Sequence, residues 1–266
     1  MSNLFKRVIV GLIGIPVLMF IFYSGGILFL IFSLIVTSLA LRELFLMFEK
    51  KNYFPLKNTG IILSAGILVY SFFYFTNFTD IDFLFLIYLP VIFLICAEIF
   101  RREKINPLNP VIVIFGLLYI TTPFAMLGII NEYSKLNLVL FIFVLIWTCD
   151  TAAYFGGKYL GKHLLSPISP KKTWEGSITG FIFTVIVSFS VQYIFPDKLN
   201  LTDALIMGIT IGIFSQVGDL FESLLKRYCD VKDSSDIIPG HGGILDRFDS
   251  IIFVTPLIFI YFRYIK

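Results

Sequence analysis

Long apolar runs separated by short polar breaks make up most of the chain, and nine of them are long enough to cross or nearly cross a hydrocarbon core of about 30 Å. They cover residues 8–23, 27–42, 60–75, 82–99, 110–129, 138–155, 176–195, 203–222 and 249–264. Within each run the apolar positions are contiguous rather than alternating, which predicts helix. Hydrocarbon has no partner for an unpaired backbone amide, and the strands of a membrane barrel would alternate apolar with polar residues. The expected fold class is therefore all-α: a polytopic integral membrane protein of about nine transmembrane helices. The first run carries no small-residue cleavage site and leads through Gly25 and Gly26 into a second apolar run, so it is expected to stay as a helix.

Composition agrees and adds orientation. A mean hydropathy of +0.90, with 31 Phe in 266 residues, exceeds what a soluble globule can hide beneath its polar skin. With nine spans and the N-terminus inside, 17 of the 21 Lys and Arg fall in the N-terminus and the inner connections, leaving Lys135, Lys198, Arg263 and Lys266 for the other side. That asymmetry predicts a cytoplasmic N-terminus and a polar face turned to the cytoplasm from the cell's inner membrane. Cys96, Cys149 and Cys229 are odd in number and show no CxxC pairing, so they read as reduced, small apolar residues. The net charge of +3 is modest, and no basic run interleaves with aromatics, so no nucleic-acid partner is expected. The bases suit anionic headgroups or a polyphosphate.

Neither repeat nor flexible linker divides the chain, which is read as one membrane domain. Residues 1–140 carry few polar groups inside their spans and form a packing half; residues 141–266 carry polar groups at the inner ends of theirs and form a working half.

The chemistry concentrates in that second half. The eighth run ends FSQVGDLFESLLKR, which puts Ser215, Asp219, Ser223 and Lys226, with Glu222, on one helical stripe. A carboxylate so placed is costly unless it faces a cavity, a partner or a cation; pairing with Lys226 or another base is the plain alternative. After the loop KDSSDIIPGHGG, the ninth run opens LDRFDS, with Asp246 and Asp249 three residues apart. Asp246 also suits a helix start, where simple capping would explain it. Asp219, Asp246 and Asp249, expected at one membrane depth, would repel each other without a cation. Hard oxygen donors favour Mg²⁺, with substrate phosphates completing its shell and Lys226, Arg227, Lys232 and Arg247 balancing the remaining charge. Gly240, Gly242 and Gly243 around His241 form a turn whose amides can approach an oxyanion, although a lone loop histidine is more often structural.

Upstream, WTCDTAAYFGGKYLGKHLLSPISPKKTWEGS sets Asp150, Tyr154 and Lys158 four apart on one face, and SPKK presents Lys171 and Lys172 from a proline-restricted turn. A solvated inner loop is the alternative for its lysines. Glu43, beside Arg42, and Glu98, four residues before Arg102, are expected to make structural ion pairs.

The pattern S-x-L-K-R-x4-K-D-x-S-x2-I-P-x-H-G-G-x2-D-R-x-D, residues 223–249, closely resembles the signature of phosphatidate cytidylyltransferases, also called CDP-diacylglycerol synthases. The run SQVGDLFES and the upstream stretch are similar to that family too, so the specific likeness covers residues 147–250. The resemblance implies that CTP and phosphatidate give CDP-diacylglycerol and pyrophosphate in phospholipid biosynthesis. It also implies a requirement for Mg²⁺, a monovalent cation such as K⁺ sharing the site, and a homodimer. Carried over, Asp219 and Asp246 hold metal with Asp249 assisting. Ser223, Lys226, Arg227, Lys232, His241, Gly242, Gly243 and Arg247 surround the phosphates, and Asp150, Lys171 and Lys172 line the same cavity. Two alternatives stay open on the residues alone: a CTP-dependent polyprenol or phytol kinase, and an ion-coupled transporter whose intramembrane acids relay cations.

Overall fold

A computed structural model describes residues 3–74, 80–133, 138–196, 199–238 and 242–266. Ten α-helices account for most of them: α1 Asn3–Ser24, α2 Gly26–Glu49, α3 Lys57–Tyr74, α4 Asp80–Ile99, α5 Leu108–Gly116, α6 Thr122–Tyr133, α7 Leu138–Leu160, α8 Trp174–Ile194, α9 Leu201–Tyr228 and α10 Leu245–Ile260. No strand occurs among the described residues. The only extended pairings there are two isolated bridges, Leu164 with Thr173 and Ile238 with Gly242.

Among the described residues, six segments are long and apolar enough to cross a membrane: Gly26–Glu49, Leu108–Asn131, Leu138–Leu160, Trp174–Ile194, Leu201–Tyr228 and Leu245–Ile265. Three shorter apolar helices, Gly11–Ser24, Lys57–Phe73 and Tyr88–Ile99, fall on the other expected runs. The protein is thus a helical membrane protein.

The ends and interruptions of the helices follow from local chemistry. Thr173 caps α8 by accepting the Gly176 amide at 3.2 Å. Asn200 and Asp203 exchange bonds at the start of α9: the Asn200 amide donates to Asp203 Oδ2 (2.9 Å) and the Asp203 amide to Asn200 Oδ1 (2.7 Å). Between α5 and α6 the helix widens into a π turn, Leu117–Thr121, just ahead of Pro123. The missing proline N–H breaks the regular ladder there, and Thr122 Oγ1 donates to the Leu117 carbonyl at 3.2 Å.

Two compact units emerge. The first comprises Met1–Tyr133 with Tyr228–Arg247, the second Ser134–Arg227 with Phe248–Lys266. The first thus includes residues 228–247, far beyond the change in span polarity near residue 140. Its core is α2, whose Ala40, Leu41, Leu44 and Phe45 are fully buried against α3, α5 and α6. A Cβ on Gly116 would lie 2.8 Å from Leu41 Cδ2, so a side chain there would force this part of the core to repack.

In the second unit α7 and α8 interlock through glycines. A Cβ on Gly156 would lie 2.5 Å from Thr179, one on Gly176 2.7 Å from the Ala153 carbonyl, and one on Gly180 2.9 Å from the Cys149 carbonyl. Close backbone approach of this kind is how small residues pack helices where lipid removes the hydrophobic driving force.

Candidate active site

In the second unit, the approach of α7 to α8 leaves a cavity of about 570 Å³ beside the loop that joins them. Asp150, Tyr154 and Lys158 line it from α7, as their four-residue spacing predicts. Ser169, Lys171 and Lys172 line it from the loop, and Asp219 from α9. The loop is not a loose tether. Leu165 and Lys172 pair through their backbone (2.9 Å), as do His163 and Trp174 (2.9 Å). Glu175 then gathers the turn, accepting the amides of Lys162 (3.0 Å) and His163 (3.2 Å) on Oε2 and meeting His163 Nδ1 with Oε1 at 2.5 Å. Sequence reasoning missed Glu175; its position in the first turn after a Thr cap was the available signal.

Lys172 forms an ion pair with Asp219. Close by on α10 is Asp249, 8% exposed, whose Oδ1 accepts the Ser250 amide at 2.7 Å. The charges of Asp219, Asp150 and Lys172 all reach its carboxyl group. Gly218 makes this meeting of helices possible. A Cβ there would strike the Asp249 carbonyl at 2.7 Å, so α9 and α10 touch backbone to backbone one residue before Asp219. Ser250 Oγ fixes the register by donating to the Ser215 carbonyl at 3.1 Å. Gln216 holds α8 to α9, its Nε2 donating to the Ser177 carbonyl at 3.1 Å. Gln216 and Ser177 also line the cavity, and neither stood out in the sequence, because a neutral polar residue on an inner helix turn carries no distinctive pattern.

Farther along α9 the predicted stripe divides. Lys226 pairs with the buried Glu222 rather than with Asp219. Ser223 Oγ stands 3.5 Å from Asp219 Oδ1, and Arg227 is exposed in the last turn.

The signature loop belongs to the first unit. Lys232 and Arg247 are exposed at its two ends, while His241, with Pro239 and Gly240, lies outside the described residues. Gly242, at φ +80°, takes up the left-handed turn that favours glycine, and its carbonyl accepts the Ile238 amide at 3.0 Å. The Gly243 amide donates to Asp246 Oδ2 at 2.8 Å. Ser234 donates its amide to the same oxygen at 3.0 Å.

The loop's principal partner is Glu43, which accepts Ser234, Ser235, Ile244 and Leu245 instead of pairing with Arg42. The expected pairing of Glu43 with Arg42 is thus corrected: a buried carboxylate took the larger set of donors. Glu98 pairs with Arg101, three residues on, rather than with Arg102, and also accepts the Asn106 amide (2.9 Å) and Asn109 Nδ2 (2.7 Å). The three cysteines are free, as expected. Cys229 is buried, and burial pushes its thiol above the usual range, so it stays a neutral apolar filler.

Among the described residues no three His, Cys, Asp or Glu side chains are gathered closely enough to hold a metal ion. Mg²⁺ seldom needs such a cage: one or two carboxylates, waters and substrate phosphates usually suffice. Asp219 and the buried Asp249, hard oxygen donors with Lys172 paired to the first, fit that donor set. The arrangement is suited to binding a polyanion through Lys158, Lys171 and Lys172 beside a cation at the carboxylates.

Comparison with known proteins carries the same theme across the whole length. The sequence profile of the Cytidylyltransferase family matches residues 5–265. The phosphatidate cytidylyltransferase of Staphylococcus saprophyticus is 36% identical over 256 residues, covering 95% of this chain and 96% of the relative. That of Staphylococcus haemolyticus is 34% identical with the same coverage, and that of Bacillus subtilis 33% identical over 98% of both chains. With a full-length profile match and relatives of this identity and coverage, the chain belongs to the cytidylyltransferase family.

Proposed function

We propose that this chain condenses CTP with phosphatidate to give CDP-diacylglycerol and pyrophosphate, a step of phospholipid biosynthesis. The observation that carries the proposal is the cavity where Asp150, Lys171 and Lys172 meet the Asp219 carboxylate, in a chain whose full-length relatives bear the name phosphatidate cytidylyltransferase. A phosphatidate phosphate oxygen attacks the α-phosphorus of CTP in line. The new P–O bond forms as the bond to the β-phosphate breaks, and pyrophosphate carries away the electron pair. Little covalent chemistry is asked of the protein; positioning and charge neutralisation are its work.

Lys171 and Lys172 take the triphosphate as point charges on a clipped loop. Asp219 and Asp249, with Asp246 a turn earlier on α10, are the carboxylates assigned to Mg²⁺, with K⁺ as a second cation. When bound, Mg²⁺ supplies neutralisation of the developing negative charge. Ser223, Lys226, Arg227, Lys232, His241, Gly242, Gly243 and Arg247 are assigned to the phosphates, as in the family signature. Nine spans with a cytoplasmic N-terminus, and a site facing the cytoplasm where CTP is, complete the proposal; a homodimer is the proposed assembly.

Purified protein in detergent, given labelled CTP and phosphatidate, is expected to release pyrophosphate and a labelled CDP-lipid only with Mg²⁺. D219N is expected to lower turnover by about 10²–10³-fold. Formation of CDP and a lipid phosphate from a polyprenol would replace the proposal with a kinase.

A further inference from the structure

Glu43 lies on α2 with 1% of its surface exposed, the one charged residue among that helix's buried, mostly apolar side chains. A buried carboxylate is tolerated only when its oxygens are well satisfied. Each oxygen here accepts two donors: Oε1 takes Ser235 Oγ at 2.6 Å and the Ile244 amide at 2.9 Å, and Oε2 takes Ser234 Oγ at 2.9 Å and the Leu245 amide at 2.8 Å. Leu245 opens α10 and Ile244 precedes it, so their amides are among the donors a helix start leaves without an intrahelical partner. Glu43 therefore caps α10 from another helix, with its charge at the positive end of the dipole. The loop closes tightly around it: a Cβ on Gly243 would lie 2.0 Å from Ser234 Oγ and 2.5 Å from Glu43 Oε2.

The same residues hold Asp246. Ser234 Oγ stands 2.9 Å from Asp246 Oδ2 as well as 2.9 Å from Glu43 Oε2, so one hydroxyl proton serves two carboxylates 203 residues apart in the chain. Asp246 Oδ2 also accepts the amides of Ser234 and Gly243. Ser234 and Gly243, which donate to Asp246, are thus residues that Glu43 either bonds or closely adjoins.

We propose that Glu43 is the positioning residue of the signature loop: a built-in anion around which residues 234–235 and 243–246 gather, and which fixes the plane of the Asp246 carboxylate. It touches no substrate. Glu43's effect on turnover rests on the proposed role of Asp246; its effect on the loop does not.

The test compares the full-length wild type with E43Q in detergent. Glutamine keeps the shape but turns an amino group toward two of the four donors. Hydrogen exchange without ligands is expected to speed up about tenfold or more in the peptide covering residues 234–246, with the α7–α8 peptides unchanged. In the assay with CTP and phosphatidate, the Mg²⁺ concentration for half-maximal rate is expected to rise about 10–100-fold, the usual consequence of losing the group that orients a metal ligand. S235A, which removes one of the four bonds, is expected to shift both readouts in the same direction by less, and it serves where E43Q does not fold. Unchanged exchange in both variants overturns the anchoring. Faster exchange with unchanged Mg²⁺ dependence overturns the positioning of Asp246 and leaves Glu43 a stabiliser of the loop. D246N with wild-type turnover overturns the chemical role of Asp246 itself, while exchange in E43Q still decides the anchoring separately.

Discussion

At the scale of single residues, the second unit's cavity is governed by where its one half-buried lysine sits. Lys172 pairs with Asp219 and its charge reaches Asp249, so it neutralises an acidic pair that would otherwise be costly at the edge of an apolar helix bundle. The same ammonium is proposed to meet the triphosphate, and the two duties pull in opposite directions when it is removed. K172M is expected to lower kcat/KM for CTP about 10–100-fold, the equivalent of the roughly 1.5–3 kcal/mol of one charge-assisted hydrogen bond. In the absence of CTP it is expected to tighten Mg²⁺ binding, because the carboxylates lose their resident counter-charge. Calorimetric titration of Mg²⁺ into nucleotide-free wild type and variant checks the second half; weaker Mg²⁺ binding in K172M would mean the lysine supports the cation instead of standing in for it. Lys171, exposed on the same turn, has no such double role.

At the scale of helices, what places these side chains is backbone contact through glycine, and this is where sequence and structure part. Helical runs were legible because uninterrupted apolarity admits no other backbone in lipid, and the Asp150–Tyr154–Lys158 face because a four-residue spacing stacks side chains along a helix. The turn-forming role of Gly242 was legible too. The contact of Glu43 with a loop some 190 residues away was not, since a helix-end carboxylate beside an arginine reads as a local pair and only tertiary packing reveals better donors. Nor was Gly218, one glycine among 19, distinguishable from those with no neighbour. The two kinds differ by experiment. G218A is expected to push α9 from α10 and destabilise the protein by about 1–3 kcal/mol, lowering its unfolding temperature and its turnover together. G66A, on α3 with nothing within 4 Å of the added methyl, is expected to be neutral or stabilising by up to about 1 kcal/mol. Equal melting temperatures for the two variants would show that the α9–α10 contact yields to a methyl group.

At the scale of the whole molecule, charge and helix length together argue for one orientation. Helix α9 runs for 28 residues, about 42 Å at 1.5 Å per residue, whereas about 20 residues cross the hydrocarbon. A span that enters at Leu201 therefore leaves hydrocarbon near Leu220, so that Asp219 stands at the boundary and Glu222, Lys226 and Arg227 lie beyond it. That same end of the chain's spans carries most of the lysines and arginines, 17 of 21 when nine spans are counted. Both features predict that the loop between α7 and α8, with Lys171 and Lys172, faces the cytoplasm, and that the connection before α9 faces away. In a variant with Cys96, Cys149 and Cys229 replaced, a single cysteine at S166C is expected to react with a membrane-impermeant maleimide only in inside-out vesicles, and one at K198C only in right-side-out vesicles or intact cells. The reverse labelling would invert the orientation and put the site on the side without CTP, which the proposed reaction does not survive. Labelling of both positions from the same side would instead leave the orientation of the site open to the S166C result alone and remove one crossing between residues 166 and 198, where α8 supplies 21 residues, enough for one span.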